Sequence, residues 1–118
     1  MNRLNGRRVV GISPLPGDVF LVSRKNGNGA VVQTYHIASK DNRGTSPDSV
    51  KGRLIRVLSE SEGIALTIDE LARRTSSLPV SVKGDLAALK RDYEGSESYE
   101  MEVSQNRKGR TYCLKQRR

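Results

Sequence analysis

Three cations fall within four positions of the segment 105–110, which reads QNRKGR. Arg107, Lys108 and Arg110 surround Gly109, a residue that adopts the positive φ of a tight turn at little steric cost. Guanidinium and ammonium groups gathered on a turn are suited to bind phosphate oxygens. We therefore take these three residues as candidate ligands of a polyanion, the alternative being an ordinary solvated turn.

A second set of candidate ligands follows Pro79. Val82, Leu86 and Leu89 are spaced four and three residues apart, which predicts one buried face of a helix, and Tyr93 extends that face. Residues that point away from this face are free to meet a partner. They are Ser81, Lys83, Gly84, Asp85, Ala87 and Lys90.

The whole chain has the charge balance of a protein that binds polyanions. It has 118 residues, with 21 Lys and Arg against 13 Asp and Glu, a formal net charge of +8. Residues 1–46 have seven cations and two acids, so more than half of the excess lies there. Such an excess of positive charge attracts polyanions at long range but gives no information about the fold. The candidate backbone contacts in this region are Arg7, Arg8, Arg24 and Lys25.

The composition argues against an enzyme. Aromatic residues make up 4% of the chain and there is no Trp, so the core must be small and aliphatic, with little room for an enclosed substrate cavity. Cys113 and His36 are each the only residue of their type, so neither a disulfide within the chain nor a Cys/His metal cluster is expected. We expect no cofactor, no metal and no membrane segment, and a cytoplasmic location.

Residues 1–46 are predicted to form a basic extension. The runs 18–23 and 30–38 are rich in β-branched residues and flank two Asn-Gly pairs, which predicts a β-hairpin over about 18–37. Pro14 and Pro16 separate this hairpin from the run 7–12, because proline cannot donate to a central ladder. The polar stretch 39–46 reads as a linker, and the alternative for the whole extension is a partly disordered tail.

Residues 47–118 have the signals of three helices and a second hairpin. Ser46 and Pro47 predict the start of helix 1, which runs to about residue 59. Thr67 and Glu70 form a capping box that begins helix 2, and helix 3 runs over about 79–93 until Gly95. Alternation over 99–103 and the run 111–114 predict two strands joined by the basic turn, and 64–66 is a candidate short strand.

From this arrangement, residues 50–115 resemble the winged helix-turn-helix family of DNA-binding domains. The residues that match are Glu70-Leu71-Ala72 on the supporting helix, the turn 76–79, Val82-x3-Leu86-x2-Leu89 on the recognition helix, and the hairpin that follows. Ser77 stands where such turns often have glycine. The resemblance implies an α+β fold with three helices and a C-terminal β-hairpin wing. The N-terminal hairpin or partly disordered extension predicted above would precede it.

The resemblance also implies a partner, double-stranded DNA, and roles for the candidate residues. Helix 3 would lie in the major groove, with Lys83 reaching guanine or a phosphate and Ser81 a phosphate. Arg107, Lys108 and Arg110 would contact the minor groove or phosphates. The simplest interpretation of Asp85 is a solvated acid. Otherwise it would accept a hydrogen bond from cytosine N4 or hold Lys83 or Arg91 in place.

Other partners stay open at this stage. Five acids lie within residues 92–102, and this segment or the edge of a hairpin would be the docking surface if the chain were a protein assembly module without DNA binding. RNA is a weaker alternative, because few aromatic residues are available for base stacking. Readers of this type often form homodimers, although no long coiled-coil helix is present to drive that association.

Overall fold

The computed structural model describes residues 8–38, 44–107 and 109–117. In chain order the elements are β1 (Arg8–Leu15), β2 (Val19–Lys25), β3 (Val31–Ile37), α1 (Val50–Glu60), β4 (Leu66–Thr67), α2 (Ile68–Thr75), α3 (Pro79–Glu94), β5 (Tyr99–Asn106) and β6 (Gly109–Gln116). The strands form two antiparallel sheets of three strands, with orders β1-β2-β3 and β4-β6-β5.

The predicted fold class is correct as α+β but wrong in its architecture. Three strands pair into a complete small sheet ahead of the first helix, in place of a hairpin or a partly disordered extension. A winged helix-turn-helix does not begin with such a sheet, so this description does not hold for the chain as a whole. The strand that the prediction omitted is β1, in which Pro14 lies opposite Phe20. Proline is tolerated there because β1 is an edge strand.

The β1-β2-β3 sheet is attached to the helices through one of its ends. Val19 and Ile37 lie opposite each other at this end, and both belong to the main hydrophobic core. Gly17 in the β1–β2 turn has a φ of +83°, and a Cβ there would lie 2.6 Å from Leu114 Cδ2. Asp18 accepts a 2.7 Å hydrogen bond from the Ser96 hydroxyl. The two halves of the chain therefore share one packed core.

Local signals explain how the first helix begins. Ser49 caps α1 by accepting from the Gly52 amide at 3.0 Å, and Ser46 instead closes the turn before it. The prediction that helix 1 starts at Pro47 is therefore wrong by one turn. The reason is that both serines can act as caps, but the Ser46 hydroxyl accepts from the Asp48 amide within the preceding turn, whereas the extended Ser49 accepts from a helical amide.

The second and third helices begin and end where the sequence predicts. Thr67 Oγ1 accepts from the Glu70 amide at 3.1 Å, and Glu70 Oε1 accepts from the Thr67 amide at 2.9 Å, so the capping box is complete. Val82, Leu86, Leu89 and Tyr93 of α3 are all fully buried, and Gly95 caps that helix. Burial raises the pKa of the Tyr93 hydroxyl.

Candidate functional site

The turn between α2 and α3 sets the direction in which α3 leaves the core. Ser76 ends α2 in a left-handed conformation with φ 54°, so a serine takes the backbone role that glycine often has in such turns. The Arg53 guanidinium of α1 holds the turn by donating to the Thr75 carbonyl at 2.8 Å and to Ser77 Oγ at 3.2 Å. This brace ties α1 to the end of α2 and to the turn that leads into α3.

One face of α3 is packed and the opposite face is open. The face with Val82, Leu86 and Leu89 lies in the core, where α3 contacts α1, α2 and β5. Ser81, Lys83 and Gly84 are exposed, and a Cβ built on Gly84 would meet no atom within 4 Å. No other described element covers this part of α3. The structure therefore leaves the predicted reading residues Ser81, Lys83 and Gly84 accessible along one surface.

The cations of this surface differ in how far their charge is compensated. Lys90 Nζ lies 3.6 Å from Oε2 of Glu94, one turn later along α3, so the charge of Lys90 is partly balanced within the helix. Lys83 and Arg91 form no ion pair with another described residue, and neither does Asp85. Asp85 therefore does not hold Lys83 or Arg91 in place through an ion pair, and that alternative is not supported.

The β5–β6 turn carries the next two candidate residues. Arg107 and Arg110 are exposed and pair with no acid among residues 8–38, 44–107 and 109–117. The turn is tight, since Asn106 and Gly109 face each other across it and Gly109 has a φ of +112°. Arg107 also lines an open cleft with Thr67 and Glu70, at the beginning of α2. Lys108 lies outside the described residues.

The N-terminal candidates lie on a different part of the molecule from α3. Arg24 donates to Thr34 Oγ1 at 3.3 Å across the β2–β3 pair, and Lys25 is exposed at the strand end. Six residues separate Lys25 from the core residue Val19, which is roughly 20 Å along a strand. Arg8 begins β1 opposite Lys25, and Arg7 lies outside the described residues.

The acidic segment 92–102 is largely neutralised by cations of the same chain. Asp92 pairs with Lys51 at 2.9 Å and Glu102 with Lys115 at 2.7 Å, and Glu94 has Lys90 as described above. Glu100 lies 3.8 Å from Arg117. Only Glu97 of the five acids has no ion pair within the described residues, so this segment offers little free negative charge to a basic partner.

Two further chemically distinctive residues are buried. His36 is buried in β3, with its Nε2 2.8 Å from Thr34 Oγ1. Cys113 is buried in β6, and burial raises the pKa of its thiol, which disfavours the reactive thiolate. Among the described residues no three His, Cys, Asp or Glu side chains are grouped as metal ligands. The helices of this part of the chain are also too short or too polar to cross a bilayer.

Sequence reasoning missed two residues on the open surface of α3. Leu78 and Val80, at the start of the helix, are 69% and 74% exposed. The prediction from the sequence considered only polar residues as ligands and therefore did not include these two. The spacing does contain the signal, because Val80 lies two positions before the buried Val82 and therefore on the opposite side of the helix.

Protein-family models, curated proteins and solved structures were all compared with this chain, and none of them matches it. The resemblance of residues 50–115 to winged helix-turn-helix DNA-binding domains accordingly stays a prediction.

Proposed function

We propose that this protein binds double-stranded DNA and regulates transcription, with α3 in the major groove and the β5–β6 turn on the backbone. Arg24 and Lys25 of the first sheet add phosphate contacts. The proposal includes a cytoplasmic location in association with the nucleoid, and no catalytic step. It is compatible with a monomer or with a homodimer on two half-sites.

The observation that carries the proposal is the uncovered outer face of α3. A helix that packs three elements on one side and none on the other can enter a groove about 12 Å wide, which is the width of the major groove. The Arg53 brace supports this use of α3, because it fixes the angle at which the helix projects. Gly84 supports it too, since the absence of a side chain allows a close approach.

Electrostatics favour a polyanion as the partner of α3 and of the β5–β6 turn. Lys83, Arg107 and Arg110 are exposed cations without an acidic partner among the described residues, whereas most of the acids of 92–102 are paired. A net charge of +8 adds a long-range attraction. Binding to phosphates releases counterions, so the affinity should depend steeply on salt.

Fluorescence anisotropy with a labelled duplex tests the proposal. We expect binding at 50 mM salt, and an affinity about a thousandfold lower at 200 mM if six or more phosphates are contacted. Arg107→Ala should weaken all duplexes about equally, whereas Lys83→Ala should change the order in which duplexes are preferred.

The matched control is Arg56→Ala, which removes another exposed cation, from α1, where Arg56 pairs with Glu60. This variant should bind almost as well as the wild type. An absence of binding to every duplex at low salt would refute the proposal, and equal losses in Arg56→Ala and Arg107→Ala would remove the β5–β6 turn from the interface.

A second candidate function, protein assembly without DNA binding, is favoured by one specific observation. Exposed apolar side chains gather on the β1-β2-β3 sheet away from its core end: Val9, Val10, Ile12, Val31 and Val32. An NMR titration with duplex DNA separates the two functions. DNA binding should shift the amides of α3 and of the β5–β6 turn, and unchanged amides there would favour the assembly function.

A further inference from the structure

The line of α3 that lies furthest from the core has almost no hydrogen-bonding side chains. Val80, Gly84, Ala87 and Arg91 follow each other at spacings of four, three and four, opposite the buried face of the helix. The first three are apolar, and only Arg91, near the C-terminal end, carries a donor. At 74%, Val80 is more exposed than any other large apolar residue described, and Leu78 follows at 69%.

This apolar ridge, defined as Leu78, Val80, Gly84 and Ala87, is flanked by positive charge. Lys83 stands beside it on the same helix, Arg91 continues it, and neither forms an ion pair with another described residue. An apolar protein surface would be a poor complement to these uncompensated cations. A ligand that presents apolar groups between rows of phosphates complements both features.

The major groove of DNA is such a ligand where it contains thymine. Thymine is the unmodified base that presents a methyl group, C5-methyl, at the groove edge, and apolar side chains contact that methyl. Most other groups at the edges of the bases are hydrogen-bond donors and acceptors, which Val80, Gly84 and Ala87 have no side-chain atoms to satisfy. The open space around Gly84 allows the helix axis to come close enough for a short side chain such as Ala87 to reach a methyl.

We infer that α3 reads DNA chiefly through thymine C5-methyl groups, with Val80 as the principal contact and Ala87 as a second. This inference rests on the proposed binding of duplex DNA. Arg91 then holds the ridge against the groove through phosphates, Lys83 adds a secondary contact to a base edge, and the preferred sites are rich in thymine at the positions under Val80 and Ala87.

The test replaces thymine by deoxyuridine in the preferred duplex, which is first obtained by selection from a random pool. This replacement removes only the methyl group and keeps the pairing and the phosphates. We expect the affinity to fall about fourfold for each contacted methyl, since each buried CH₂-sized group contributes about that factor. Val80→Ala should bind the thymine duplex more weakly and reduce the ratio of thymine to deoxyuridine affinities toward one.

The matched control is Val31→Ala, which shortens a valine that is 59% exposed on the first sheet. It should keep the full thymine preference, and thermal unfolding should show both variants folded, because both residues are largely exposed. Equal affinities of the wild type for the two duplexes would overturn the inference and leave DNA binding intact. Binding to neither duplex would overturn the proposed function and the inference together.

A different result would assign the ridge to another partner. If the protein self-associates without DNA and Val80→Ala abolishes that association, the ridge is a protein contact and the inference is wrong. An undiminished thymine preference in Val80→Ala would likewise exclude Val80 as the reader.

Discussion

Gly52 illustrates how an absent side chain can be a packing requirement. It lies in the first turns of α1, where the sequence alone suggests only a small loss of helix propensity. In the structure Gly52 is buried, and a Cβ would overlap the Ser46 carbonyl oxygen and lie 2.9 Å from Pro47 Cα. The turn before α1 folds back over this position, so the glycine is what allows the approach.

We predict that Gly52→Ala lowers the free energy of unfolding by about 1–3 kcal/mol, because backbone atoms must shift to admit the methyl group. Urea denaturation measures the change. The matched control is Gly84→Ala in α3, where the space is open and alanine should instead stabilise the helix by about 1 kcal/mol. A stabilised Gly52→Ala variant would show that the turn 46–49 moves freely away.

Residues of the candidate site were predictable to the extent that they are polar. Exposure of Lys83, Arg107 and Arg110 follows from helical spacing and from the turn in which the arginines lie. Leu78 and Val80 were missed because only polar side chains were considered as ligands. Only the packed structure shows that no element covers them.

At the scale of elements, the capping box at the start of α2 makes the stability of the fold depend on pH. The hydrogen bonds that Glu70 accepts from the Thr67 amide and hydroxyl, with a smaller effect of Arg74 and Arg73, lower the pKa of Glu70. A carboxylate with a lowered folded pKa stabilises the fold above its unfolded pKa, and that stabilisation is lost as the pH falls through the folded value.

We therefore predict that the melting temperature of the wild type falls more steeply between pH 5 and about pH 3 than that of Glu70→Gln. Glutamine can still accept from the Thr67 amide, so the variant keeps the neutral part of the box. Thermal unfolding by circular dichroism at several pH values measures this difference. Glu62→Gln, at an exposed acid that forms no ion pair with a described residue, is the control and should follow the wild type; a parallel loss in Glu70→Gln would contradict the prediction.

The helices were predictable because their signals are local. Thr67 with Glu70, the stripe from Val82 to Tyr93, and Gly95 each act within a few residues along the chain. Strand β1 was missed although it forms a local hairpin with β2, because Pro14 and Pro16 argue against a strand that continues into a tight turn at Gly17 and Asp18. The start of α1 was missed for a related reason, since two serines three residues apart offered the same signal.

At the scale of the whole molecule, the core joins elements that are far apart in sequence. Leu114 in β6 is fully buried and lies against Gly17, between the first sheet and the rest of the protein. The basic N-terminal region is therefore seated on the same core as the three helices, and the orientation of its cations relative to α3 depends on this packing.

We predict that Leu114→Ala destabilises the protein by about 2–5 kcal/mol and does so for both halves at once. NMR or hydrogen exchange during urea unfolding should give one midpoint for residues of β2 and of α1. The conservative variant Leu114→Met should cost less than about 1.5 kcal/mol. Separate midpoints for the two regions would show that the sheet and the helices unfold independently.

The contact between Gly17 and Leu114 also has a consequence for synthesis. On the ribosome β1, β2 and β3 are made first, yet the residue that covers their inner end is added only after all three helices have been made. Until then Val19 and Ile37 have no complete cover, so the nascent sheet is exposed to aggregation or to chaperones. Because β6 is translated after the helices, the packing of β6 is the last step that completes the core at the inner end of the first sheet.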